Sequence, residues 1–212
     1  MLTVKIFKCN RFQENTFLLY DEYGVCLIVD PGMETAEERD DLVRFIERYA
    51  LKPVRLINTH CHVDHVMGNR FIFNRYGLLP EIHLDELPML DSVVDYAPTM
   101  GFDYDSSPVP QVFLEDGDEI LVGKYVLKIM LTPGHSPGHV CLYQPEQNFL
   151  IGGDVLFRGG IGRTDLPQGN YKDLLYSIET KLLGLPDDCV VYPGHGEDTT
   201  IGFERAHNPF LK

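Results

Sequence analysis

Between Thr59 and His65 the chain reads Thr-His-Cys-His-Val-Asp-His, which places three histidines and one aspartate within six residues. The apolar run Val54–Asn58 leads straight into it, so the cluster sits at the end of a buried-type strand. Imidazole and carboxylate are the donors that suit zinc, iron or manganese. In an extended turn His60 and His62 face one side, while Asp64 and His65 at the next bend address a second point. One ion takes three or four protein ligands, so this cluster with partners from elsewhere has donors enough for two. The competing reading, a solvated histidine-rich turn, gives no reason for the cluster to follow a buried strand.

Partners of the right type are present. Thr132-Pro133-Gly134-His135-Ser136-Pro137-Gly138-His139, Gly152-Gly153-Asp154 and Tyr192-Pro193-Gly194-His195-Gly196 each follow an apolar stretch. Glycine lets backbone pass close to an ion, and Asp154 is the natural bridging carboxylate. Singly each is an ordinary turn, because proline and glycine mark turns everywhere. Together with the first cluster they bring ligand types to four strand ends, which is what a site at the edge of packed sheets requires.

The remaining pattern predicts strands at Met1–Lys8, Asn15–Tyr20, Val25–Val29, Glu119–Val122, Tyr125–Leu131, Val140–Tyr143, Phe149–Ile151 and Cys189–Tyr192. Helical spacing runs over Thr35–Ala50, Val66–Tyr76, Asp85–Tyr96 and Tyr171–Leu183. Ala97–Gln111, with Pro98, Pro108 and Pro110, reads as a surface loop, and the residues after the last strand as a short tail. Two strand-rich halves, each with helices, predict two sheets packed face to face with helices outside, in a single domain over residues 1–212.

Eighteen basic against thirty-two acidic residues give a net charge of −14. That argues against general affinity for nucleic acid or anionic membranes. No apolar stretch approaches the length of a membrane span. The amino terminus lacks the basic start, apolar middle and cleavage site of a secretory signal, so a cytoplasmic protein is expected. The five cysteines are scattered and never form a C-x-x-C pair, which fits unpaired thiols in a reducing compartment.

The run His60-x-His62-x-Asp64-His65, followed in order by His135, Asp154 and His195, resembles the metallo-β-lactamase superfamily over nearly the whole chain. Gly162-Arg163-Thr164-Asp165-Leu166-Pro167 and the ending Glu204-Arg205-x-x-Asn208-Pro209-Phe210 look like its short glyoxalase II-like hydrolases. The resemblance implies an α/β fold, the αββα sandwich of two mixed sheets. It also implies that His60, His62 and His135 bind a first metal, that Asp64, His65 and His195 bind a second, and that Asp154 bridges them. His139 is not a ligand in the family and is expected to support the site or the fold. Two divalent ions are expected, zinc ahead of iron or manganese. They would generate a hydroxide that attacks a thioester carbonyl, with Asp64 orienting it and accepting its proton, and Cys61 taking no part.

The full-length hydroxyacylglutathione hydrolases carry a carboxy-terminal helical domain that contributes glutathione-binding residues, whereas here Lys212 follows soon after His195. The resemblance implies a small-molecule thioester as the partner, S-lactoylglutathione or a related acyl-thiol. The irregular aromatic stretch Tyr96–Tyr104, with Met100 and Phe102, is expected to shape its pocket. The chief rival is a persulfide dioxygenase with one iron, and Thr164-Asp165-Leu166-Pro167 favours hydrolysis over it. Lactam hydrolysis, hydrolysis of other esters or lactones, and a non-catalytic metal-binding scaffold rank lower. Among the remaining motifs, Glu115-Asp116-Gly117-Asp118 reads as a hairpin turn and not a calcium loop. Arg163 and Asp165 are expected to hold their loop, His83 and His207 to be structural, and Gly159-Gly160-x-Gly162 not to be a dinucleotide loop.

Overall fold

The computed structural model describes residues 1–211. The chain forms two compact units, Met1–Leu114 with Leu121–Tyr125, and Glu115–Ile120 with the chain from Val126 onward. The first carries a six-stranded mixed sheet in the order β1 (Thr3–Cys9), β2 (Glu14–Tyr20), β3 (Val25–Val29), β4 (Lys52–Ile57), β5 (Pro80–His83), β6 (Val112–Leu114). β1, β2 and β3 run antiparallel to one another, and β3 to β6 run parallel. Helix α1 (Ala36–Arg48) starts where Thr35 caps it: the Thr35 hydroxyl accepts from the Glu38 N–H, and Glu38 accepts from the Thr35 N–H. Its apolar stripe buries Leu42 and Ile46 against Leu18, Cys26, Ile28 and Leu56 of the sheet.

The helix expected over Val66–Tyr76 is instead two, α2 (Val63–Val66) and α3 (Asn69–Tyr76). Gly68 separates them because its N–H donates to the Pro31 carbonyl at 2.6 Å, and a Cβ there would lie 2.7 Å from that oxygen. The next helix is a 3-10 turn at Leu84–Glu86 followed by α4 (Leu87–Tyr96). The stretch Ala97–Gln111 departs from a plain surface loop. Its first four residues form a 3-10 turn, and Ala97 and Phe102 are buried in a cluster with Cys61, Val63, Met67 and Val93.

The second sheet has the order β14 (Thr199–Thr200), β13 (Val190–Pro193), β10 (Phe149–Gly153), β9 (Val140–Gln144), β8 (Tyr125–Leu131), β7 (Glu119–Val122), with β10 and β13 parallel. A two-stranded ribbon, β11 (Leu156–Phe157) and β12 (Gly160–Ile161), follows β10. Helix α5 (Tyr171–Ser177) continues as a π turn over Ile178–Leu182 and buries Leu174, Ile178 and Leu182 against Cys141, Leu150 and Val191. The expected short tail is structured: β14 leads into α6 (Ile201–His207), capped by the Thr200 hydroxyl on the Phe203 N–H. Glu115–Asp118 is a turn, but it joins β6 to β7, strands of different sheets, and the hairpin turn is at Gly123-Lys124 between β7 and β8. Its carboxylates are taken up by donors, Asp118 by the Glu115 N–H and Asp116 by the Leu131 N–H and the Lys181 ammonium.

All five cysteines are buried thiols. Burial is the main cause that pushes Cys9 and Cys26 up to about 12 and Cys189 up to about 11, so little thiolate forms near neutrality. An aromatic disulfide reagent at pH 8 should therefore leave the native protein almost unmodified over minutes and titrate five thiols in denaturant. Fast modification of the native protein would contradict this packing.

Candidate metal centre

In the first unit β4 ends at Ile57 and delivers Asn58 and Thr59 to a turn that holds His60, His62, Asp64 and His65. All four are at least nine-tenths buried, and the His60 ring centroid lies 4.8 Å from that of His62 and 4.1 Å from that of His65. Behind them is the fully buried Asp30, from the Asp-Pro-Gly that ends β3. Its carboxylate accepts from the Thr59 N–H at 2.6 Å, the Thr59 hydroxyl at 2.6 Å and His65 Nδ1 at 3.1 Å. A carboxylate only accepts, so the Thr59 hydroxyl spends its proton on Asp30, and its oxygen then accepts from His60 Nδ1 at 3.1 Å. Both histidines therefore carry their proton on Nδ1, which leaves Nε2 as the unprotonated, ligating nitrogen. Asp30, His60 and His65 bring ligand-type atoms within 4.8 Å of one another, but Asp30 is committed to three donors and backs the histidines.

The turn's backbone is fixed from several sides. The buried Glu86 accepts the Cys61 N–H at 2.8 Å, and the Tyr96 hydroxyl accepts the Val63 N–H at 3.0 Å. Asn10 donates to the Asp64 and Gly32 carbonyls, both at 3.0 Å, and Asn58 donates to the His65 carbonyl at 2.9 Å. Glu14 lies further off, 4.0 Å from His65 Nδ1, and its full burial holds its carboxyl well above the usual range.

In the second unit His135 follows β8, Asp154 follows β10 and His195 follows β13. Asp154 Oδ2 lies 3.6 Å from His135 Nε2 and 3.6 Å from His195 Nε2. His135 Nδ1 is 2.8 Å from the Arg163 carbonyl, an acceptor only, so this ring too is protonated on Nδ1 and presents Nε2 to the aspartate. Gly194 donates to the Gly153 carbonyl at 2.8 Å and ties the His195 loop to the Asp154 strand end.

These donor sets fit a metal. Metal–ligand bonds of 2.0–2.2 Å at a tetrahedral ion separate neighbouring ligand atoms by about 3.4 Å. The 3.6 Å pairs around Asp154, and the 3.8 Å between His65 Nε2 and Asp64 Oδ2, lie near that value and beyond hydrogen-bond length. One oxygen of Asp154 thus lies at ligand-to-ligand spacing from both imidazoles.

Each expected ligand thus stands in a group with the others of its unit. Residues that the sequence reading did not single out are Asp30, Thr59, Glu86, Asn10 and the Arg163 carbonyl. The Arg163 side chain forms an exposed two-bond pair with Asp165 at 2.8 Å, which holds the loop as expected. His83 caps the Asp85 N–H and His207 donates to the Phe203 carbonyl, both in structural roles. Tyr96, Phe102 and Tyr104 pack in the core cluster around Cys61, while Met100 is exposed.

Residues 9–195 match the model of the family described as the metallo-β-lactamase superfamily. The chain belongs to the metallo-β-lactamase superfamily. It is 36% identical to the hydroxyacylglutathione hydrolase GloC of Haemophilus influenzae, over 99% of this chain and 98% of that protein. It is also 35% identical to the human mitochondrial persulfide dioxygenase ETHE1, over 92% of this chain and 70% of that protein. Among solved structures, the B3 metallo-β-lactamase BLEG-1 aligns with a TM-score of 0.90 at 32% identity, covering 99% of each chain. TTHA1623 in a di-iron-bound form aligns at 0.88 with 35% identity, covering 98% of this chain and 100% of that one. The two mixed sheets with their helices are the metallo-β-lactamase fold, and the chain carries histidine and aspartate groups that could hold a metal ion. Among the described residues no helix is long and apolar enough to cross a membrane.

Proposed function

We propose that the chain is a metal-dependent hydrolase of small thioesters, glyoxalase II-like in its chemistry, with a glutathione-derived acyl-thiol as the substrate class. The observation that carries this reading is the common tautomer of His60, His65 and His135, which leaves each with an unprotonated Nε2, that of His65 facing Asp64 and that of His135 facing Asp154. Near full-length similarity to a hydroxyacylglutathione hydrolase supports the substrate class. Following the family's ligand order, His60, His62 and His135 hold one ion, Asp64, His65 and His195 hold the other, and Asp154 serves both, in one domain made by the whole chain. Zinc is the ion we assign, and histidine with carboxylate also suits iron and manganese.

Ions so held would supply a water of lowered pKa and polarise a carbonyl oxygen. The residues of the chain do the rest. Asp64, its backbone pinned by Asn10, would orient the attacking water and accept its proton, the role the family resemblance gives it. Asp30 and the Arg163 carbonyl keep imidazole protons away from the ligating nitrogens. Cys61 takes no part: its thiol is buried, and burial beside Glu86 holds it well above the ordinary thiol range. Five buried thiols also support a reducing compartment, and we place the protein in the cytoplasm.

The test is metal content per chain, on protein purified without chelators, beside hydrolysis of S-lactoylglutathione. Close to two ions with thioester turnover is the expected result. One iron per chain, oxygen uptake on glutathione persulfide and no thioester hydrolysis would replace this reading with the dioxygenase, which the similarity to ETHE1 supports.

A further inference from the structure

We propose that His139 is a positioning residue for the metal centre, fixing the main chain at Asp154 by accepting its N–H on an unprotonated Nε2. The proposal rests on the reading of Asp154 as the carboxylate that serves both ions. His139 is fully buried, and its Nε2 lies 3.0 Å from the backbone nitrogen of Asp154. A peptide nitrogen can only donate, so that Nε2 must accept, and the neutral ring must carry its proton on Nδ1. Nδ1 is 3.0 Å from the Thr132 hydroxyl, which therefore accepts from it. The Thr132 hydroxyl in turn has two acceptors at 3.3 Å, the His139 carbonyl and Cys141 Sγ, and the Cys141 thiol reaches the Gly152 carbonyl at 3.4 Å. One donor of fixed sense, the Asp154 N–H, thus sets the direction of this chain of bonds as far as the Thr132 hydroxyl. It runs from the end of β10 through His139 to the end of β8 and returns through β9 to β10.

This also says why a second histidine in Pro133-Gly134-His135-Ser136-Pro137-Gly138-His139 is not a ligand. Both of its nitrogens are spent, one on a peptide N–H and one on a hydroxyl. The carbonyl side of Asp154 is fixed separately by the close approach of Gly162, where a Cβ would lie 1.9 Å from the Asp154 oxygen. His139 and Gly162 together hold both faces of the peptide groups that aim the shared carboxylate. The 3.0 Å bond from a rigid ring adds to strand pairing in setting that aim, since the register of β10 with β13 shifts between Ile151 and Gly153, just before Asp154.

The experiment compares full-length His139→Leu and His139→Gln with the unaltered chain by chelator competition for zinc and by the visible spectrum of the cobalt-loaded protein. Glutamine can set Oε1 where Nε2 stood and accept the same N–H, whereas leucine cannot. Loss of an outer partner of this kind weakens metal binding by about 10- to 100-fold. His139→Leu should show that loss and an altered cobalt spectrum, and His139→Gln should recover most of both. A folded His139→Leu with unaltered affinity and spectrum, or a His139→Gln no better than leucine, overturns the proposal. Nitrogen-15 spectra of the unaltered zinc-loaded protein decide the case even if both variants misfold: His139 must show a protonated Nδ1 and an unprotonated Nε2, and the opposite tautomer overturns it. Neither readout uses a substrate, so failure of thioester hydrolysis would leave this result standing, and the converse holds too.

Discussion

Asp30→Asn should cost about 3 kcal/mol or more of stability and strip metal from the Asp64–His65 pair, although it changes one atom outside the proposed ligand set. The Asp30 carboxylate takes three donors in a fully buried site, two at 2.6 Å and one at 3.1 Å. An asparagine has one oxygen and one NH2, and whichever way it turns, an N–H of Thr59 or of His65 must face that NH2. Hydrogen bonds to a charged partner contribute about 1.5–3 kcal/mol each, and a buried donor left facing a donor adds its own penalty. The ring of His65 can escape only by moving its proton to Nε2, and that protonates the nitrogen that should bind the ion. Metal analysis beside thermal denaturation reads both effects. Two ions per chain and an unshifted melting temperature would show that Asp30 does not set the tautomer, and the argument for the centre would lose its first step.

The proposed ligands were legible in the sequence because imidazole and carboxylate are rare in combination and announce their chemistry wherever they stand. Asp30, Asn10 and Glu86 were not, because what they do depends on partners 29, 54 and 25 residues away. Before the fold is known, Asp30-Pro31-Gly32 reads as a turn that stops a strand, and Glu86 as one more acidic residue of a solvated helix face. The same limit governs the elements. Val25–Val29 and Tyr125–Leu131 were read to the residue because long apolar runs carry their own signal. β5 holds one clear apolar side chain, Ile82, behind a proline, β6 has three residues, and α6 has seven, all too short for periodicity to declare them. The break between α2 and α3 has a tertiary cause, the Pro31 carbonyl pressed against Gly68, and no local pattern encodes it. Tyr96–Tyr104 shows the converse error. Its aromatics looked surplus to a core, yet Phe102 is a core residue and the Tyr96 hydroxyl holds the ligand turn at Val63.

Gly162→Ala carries the second large effect, and it explains why the motif Gly162-Arg163-Thr164-Asp165 begins with glycine. The added methyl would sit 1.9 Å from the Asp154 carbonyl oxygen and 3.2 Å from His135 Cβ, wedged between two proposed ligands. Ordinary carbon–oxygen contact is about 3.3 Å, so the backbone must open by more than an ångström. Overpacking of this kind costs about 1–3 kcal/mol, and a displaced ligand frame weakens metal binding by about 10- to 100-fold. The opening would also move Arg163, whose carbonyl holds the His135 proton at 2.8 Å, so the ring is disturbed from both sides. Gly160, two residues earlier in the same ribbon, is the control. A Cβ there would meet only Phe157 Cβ, at an ordinary 3.8 Å, and Gly160→Ala should leave melting temperature and metal content unchanged. If the two variants behave alike, the glycine serves the ribbon's turn and not the approach to Asp154. If only Gly162→Ala loses metal, the short motif is a spacer cut to let a main-chain carbonyl reach His135, and its polar side chains are secondary to its backbone.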